Sequence, residues 1–143
     1  MKVLQLITLA SLTIFFSFSC ESSAIKEKST VDTIIEKTET AKNIDAKKFQ
    51  DLLSSNSIVL DVRRPIEFNA GHIENAVNVN YFDDDFIQQI NKLDKSKTLL
   101  IYCASGGRSS GAMSKLKGNG FTTMFNLLGG ISAWKNAGFK VVK

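Results

Sequence analysis

From about Asn43 onward the sequence predicts an α/β domain with a mostly parallel sheet. Short apolar runs recur and alternate with stretches whose apolar residues fall at helical spacing. Runs such as Ile58-Val59-Leu60 are apolar at consecutive positions, as strands buried on both faces require. Start and stop residues punctuate the helical stretches, from Asp45 and Pro65 to Gly118-Asn119-Gly120.

Each element follows from its residues. Asp45 can cap a helix over Ala46–Leu53, with Phe49, Leu52 and Leu53 on one face. Ser57–Val62 reads as a buried strand. Pro65-Ile66-Glu67-Phe68 starts a one-turn helix, with proline at an early position. Ala76–Val79 is a second strand. Asp83-Asp84-Asp85 gives an acidic start to a helix over Phe86–Leu93; its ligand spacing does not match a calcium loop. Thr98–Tyr102 is a third strand and Ser109–Lys117 the next helix. Phe121–Leu127 is a fourth strand, Gly129-Gly130 a tight turn into a helix over Ile131–Asn136, and Phe139–Val142 a last short strand. Trp134 and Phe139 read as core.

Composition narrows the function. The chain has 143 residues, 43% hydrophobic content and a net charge of +4, enough for one domain with its own core. Its lysines are interleaved with acids, a solvated surface rather than a nucleic-acid stripe. One histidine and two cysteines in separate contexts make a transition-metal site improbable.

Residues 1–19 read as an export signal: Lys2, then an apolar stretch from Val3 to Phe18 that is short for a membrane span. Cys20 directly follows, which resembles a bacterial lipoprotein signal and implies lipidation of Cys20, a membrane anchor and a place in the periplasm. Ser17 and Ser19 also permit ordinary cleavage, and an uncleaved anchor is a third reading. Residues 20–42 are rich in Ser, Thr, Lys and Glu and read as a flexible tether. The folded domain is expected over residues 43–143.

The chemistry centres on Cys103. A strand ends at this thiol, and Ala104-Ser105-Gly106-Gly107-Arg108-Ser109 leads into a helix. Glycines let several N–H groups converge on one point, and a helix N-terminus favours negative charge. Both stabilise a thiolate, the nucleophilic form.

Five stretches stand in a telling order: Asp61-Val62-Arg63-Arg64-Pro65-Ile66-Glu67-Phe68, Gly71-His72-Ile73, Ala76-Val77-Asn78-Val79, the Cys103 loop, and Asn126-Leu127-Leu128-Gly129-Gly130-Ile131-Ser132-Ala133-Trp134. Together they resemble the rhodanese (sulfurtransferase) domain. The resemblance implies a five-stranded, mainly parallel sheet flanked by helices. It implies that Cys103 accepts a sulfane sulfur from a small anionic donor such as thiosulfate, or from a persulfide, and passes it to cyanide or a thiol. Ala104, Ser105, Gly106, Gly107, Arg108 and Ser109 would form the substrate cradle, with no metal or organic cofactor. Four residues separate Cys103 from Arg108, one fewer than in phosphatases of the same fold, and the shorter loop suits sulfur. Ala104 stands where many thiosulfate-using members carry a basic residue.

Asp61, Arg63 and Glu67 are expected to form a buried network that orders the turn after their strand, and His72 to be structural rather than a base. Two other functions fit the same residues. One is a sulfur-carrying or partner-binding module of the cell envelope without turnover; the other is a redox-sensing thiol.

Overall fold

The computed structural model describes residues 39–143. The export signal, the Cys20 lipidation site and all but the end of the tether lie outside the described residues.

The strands are Thr40–Ile44 (β1), Ser57–Asp61 (β2), Val77–Asn78 (β3), Thr98–Tyr102 (β4) and Thr123–Leu127 (β5). They form a five-stranded sheet in the order β1-β5-β4-β2-β3, and every neighbouring pair is parallel. All strands therefore end at the same edge of the sheet. That edge is where sites form in open parallel sheets.

The helices are Ala46–Asp51 (α1), Pro65–Asn69 (α2), Phe86–Ile90 (α3), Gly107–Lys115 (α4) and Gly130–Asn136 (α5). Side-chain alternation along β4 divides the core. Leu99, Ile101 and Cys103 face Phe86, Ile90, Ala112 and Met113 of α3 and α4. Leu100 and Tyr102 face Ala46, Phe49, Ile131 and Trp134 of α1 and α5. Both faces of β4 are buried, which is why its sequence is an unbroken apolar run. Truncating a side chain such as Leu100 to alanine should cost about 2–5 kcal/mol.

Local signals act as expected at several ends. The Asp45 carboxylate accepts the Lys48 N–H at 2.7 Å and caps α1. Pro65 opens α2, where the Glu67 carboxylate accepts the Arg64 N–H at 3.1 Å. Trp134 and Phe139 pack together with ring centroids 4.7 Å apart, as core residues.

Two expectations are corrected. Residues 40–42, assigned to the tether, begin β1, which pairs with β5 along its whole length. Lys42 and Asn43 are exposed there. An edge strand needs its neighbour's backbone more than an apolar pattern. Conversely, Phe139–Val142 is not a strand of the sheet. Val142 makes one antiparallel bridge with His72, through two 2.8 Å backbone hydrogen bonds.

Candidate active site

Cys103 leaves the end of β4 with its side chain on the α3–α4 face and is 1% exposed. The Gly106 N–H donates to Sγ at 3.1 Å, and the Ser109 hydroxyl lies 3.4 Å from it. The N–H groups of Ser105 and Ser109 add to these in stabilising the thiolate. Ser109 Oγ is 3.1 Å from the Gly106 carbonyl as well, so its one proton serves two acceptors. Burial pushes the thiol up. The Ser109 hydroxyl and the N–H groups of Ser109, Ser105 and Gly106 outweigh it, and the thiol titrates below its ordinary range. The fully buried residues of the loop, Gly106 and Ser109, form its floor, while Ser105 and Gly107 are exposed at its mouth.

The amides point inward because the carbonyls are held outward. The first N–H groups of α5 reach across to the loop: Ile131 N–H donates to the Cys103 carbonyl at 2.8 Å, and Ser132 N–H to the Ala104 carbonyl at 3.3 Å. This contact demands glycine. A Cβ on Gly130 (φ +56°) would sit 2.4 Å from the Cys103 oxygen, and one on Gly106 (φ +101°) 3.3 Å from Gly129 N. The turn expected at Gly129-Gly130 is present. Its grip on the Cys103 loop was not legible, because the partners lie 28 residues apart, as in the Ser132 Oγ contact to the Ala104 carbonyl.

The charged residues split into two pairs. Arg63 Nε contacts both Asp61 carboxylate oxygens at 2.9 Å, and its Nη2 donates to Asp61 Oδ2 and to the Gly71 carbonyl. Both residues are buried. Asn78 Nδ2 donates to the carbonyls of Asp61 and Arg63, which ties this turn to β3. Glu67 departs from the expected network. It leaves Asp61 and Arg63 and receives two 2.8 Å hydrogen bonds from Arg108. The physical reason is position: Glu67 sits on the partly exposed α2 within reach of Arg108 at the start of α4, while Nε and Nη2 of Arg63 are taken by Asp61 and the Gly71 carbonyl.

The Arg108 hydrogen bonds, opposed by some burial, hold the Glu67 carboxyl down to about 2. The same pairing raises Arg108. Arg108 thus ties the start of α4 to α2, and its charge also acts on the Cys103 sulfur. His72 Nδ1 donates to the Phe68 carbonyl at 3.1 Å and its ring stacks on Phe68 at 3.7 Å.

Ile66, Phe82 and Leu128 follow the ends of β2, β3 and β5, and are 77%, 58% and 51% exposed. The Arg64 guanidinium lies 5.7 Å from the Phe82 ring. Two surface hollows of about 530 and 580 Å³ lie elsewhere and share Leu53 and Glu74; neither is lined by the Cys103 loop. The site is a shallow cradle over a buried sulfur. It can stabilise a thiolate, or an anionic sulfur one bond further out.

Residues 41–137 match the model of the Rhodanese-like domain. Thiosulfate sulfurtransferase 16, chloroplastic, of Arabidopsis thaliana is 38% identical over 98 residues, which cover 62% of this chain and 82% of that protein. Thiosulfate sulfurtransferase GlpE of Ectopseudomonas mendocina is 33% identical over 95 residues, 66% of this chain and 84% of its own. Among solved structures, a rhodanese-related protein from Thermoplasma volcanium superposes with a TM-score of 0.63 at 30% identity, over 71% of this chain and 97% of that one.

Proposed function

Because the chain belongs to the Rhodanese-like domain family, we propose that it is a sulfurtransferase working through a persulfide on Cys103. The observation that carries this is the thiol itself: buried, ringed by inward N–H groups and titrating below its ordinary range.

The reaction has two halves. The Cys103 thiolate attacks the outer sulfur of the donor. A bond forms between Sγ and that sulfur, the donor's S–S bond breaks, and sulfite or a thiolate leaves with the electron pair. The persulfide anion then sits among the loop amides, which stabilise it without reorganising. In the second half cyanide or a thiolate attacks the terminal sulfur, and the Cys103 thiolate is released.

The surroundings favour an organic persulfide over thiosulfate as donor. Ala104 offers no charge, Arg108 is committed to Glu67, and Arg63 to Asp61. The double charge of thiosulfate meets the loop amides and the Ser109 hydroxyl, with Arg64 set outside them beside the Phe82 ring, while Ile66, Phe82 and Leu128 suit a carbon-bearing donor. The same scarcity of cations supports a second reading, a carrier loaded by a partner's persulfide and emptied by another.

The test is intact mass of the protein after thiosulfate or an organic persulfide, then after cyanide. One added sulfur on Cys103 that cyanide removes is the expected result. No loading from either donor would refute the proposal. Export and lipidation at Cys20 belong to the same proposal, with fatty-acid labelling of Cys20 and its loss in Cys20→Ser as their measurement.

A further inference from the structure

The loop's amides reach Cys103 from one side, and their carbonyls are gripped from the other. The Ala104–Ser105 peptide shows this best. Its carbonyl accepts the Ser132 hydroxyl at 3.1 Å and the Ser132 N–H at 3.3 Å. A carbonyl only accepts, so the Ser132 hydroxyl proton points at it. The N–H at the other end of the same peptide, that of Ser105, is one of the groups that draw the Cys103 thiol down.

We infer that Ser132 is a positioning residue: it fixes the Ala104–Ser105 peptide plane and polarises it, so that the Ser105 N–H is aimed at the Cys103 sulfur. A donor on a carbonyl strengthens the N–H of the same amide, and chained hydrogen bonds reinforce one another by roughly a tenth to a third. A serine at the start of one helix thereby acts on a thiol at the end of another element.

No charge is needed for this effect. The charged groups around the thiol are Arg108 of α4 with Glu67 of α2, and Asp61 with Arg63 at the end of β2. β5 contains none, and the last-turn Lys135 lies at the far end of α5. The first residues of α5 are Gly130, Ile131 and Ser132, so their influence travels through peptide dipoles. Ser132 is itself exposed, so water competes for the Ala104 carbonyl and the effect is a few-fold.

The inference rests on Cys103 being the nucleophile, but its test needs no turnover. The thiolate absorbance of the full chain is titrated against pH in wild type, Ser132→Thr, Ser132→Val and Ser132→Ala, each against a matching Cys103→Ser background that removes Cys20 and the tyrosines. Threonine and valine share a shape and differ by the hydroxyl. Ser132→Thr should keep the wild-type midpoint. Ser132→Val and Ser132→Ala should move it upward, by the equivalent of about a two- to threefold fall in the thiol's acid dissociation constant, the scale of a fraction of one net hydrogen bond. Sulfur loading below the midpoint should fall by the same factor and recover above it. Equal midpoints in Ser132→Thr and Ser132→Val would overturn the inference, as would a loss of loading in Ser132→Val that higher pH does not restore. Absent sulfur transfer in wild type, with the midpoints still ordered as expected, would fail the function and leave the positioning role standing.

Discussion

Two turns lie side by side at the C-terminal edge of the sheet, and they are built alike. Each leaves a parallel strand, each passes through a left-handed glycine, Gly106 at φ 101° or Gly129 at φ 71°, and each opens a helix without a side-chain cap. They differ in where their N–H groups go. After β4 the amides converge on a sulfur. After β5 they are consumed by the carbonyls of the first turn. One turn presents donors and its neighbour holds it in the presenting shape. Similar local sequence therefore gives reactivity in one place and scaffolding in the other, and the difference is set by which turn carries a nucleophile at its base.

The two turns differ most at the nucleophile. Cys103→Ser should abolish sulfur loading and leave the fold unchanged, because the side chains are close in size. Intact mass and circular dichroism measure the two halves of that statement. Gly130→Ala strikes the supporting turn instead. Its Cβ would meet the Cys103 carbonyl oxygen at 2.4 Å in a left-handed backbone, at a cost of about 3 kcal/mol. Chemical denaturation should show a large loss of stability, and loading should fall even where the protein remains folded. If Gly130→Ala is as stable and active as wild type, the two turns are independent.

Glu67 holds the Cys103 turn from outside, through Arg108. Its carboxyl is held at about 2 against an ordinary 4.5. A lowered folded value means that the Arg108 pair contributes stability above the ordinary range and loses it as pH falls toward 2. Wild type should lose stability on acidification through that window, and Glu67→Gln should lose less there. Partial exposure limits the contribution to about 1 kcal/mol. Denaturation midpoints at stepped acidic pH provide the check. The smallest expected change is in Ala104→Lys. One exposed cation beside the loop should raise kcat/KM for thiosulfate by about fivefold at low salt, fading at high salt. An organic persulfide should gain less.

Much of this was legible before the structure, and the exceptions share a cause. The strand at Thr98–Tyr102 and the reactive loop after it are encoded locally, by a run buried on both faces and by glycines next to a thiol. β1 is encoded elsewhere: Thr40–Ile44 becomes a strand because β5 offers it a backbone ladder. Phe139–Val142 has the better strand composition but finds one bridging partner, His72. Glu67 could not be assigned to Arg108 across 41 residues, when Arg63 stood four positions away. The grip of Ser132 on Ala104 spans 28 residues and is hidden for the same reason. Burial patterns are written into short segments, whereas the pairing of polar groups depends on which segments the topology brings together.

The uniform direction of the strands has a consequence for how the molecule can be oriented. β1 runs parallel to β5, and β5 to β4. The chain therefore enters the sheet at Thr40 on the end opposite Cys103, a strand length of about 16 Å away at 3.3 Å per residue. The point where any upstream chain joins the domain is therefore a strand length from the sulfur, and the edge that carries Cys103 is clear of that point of entry.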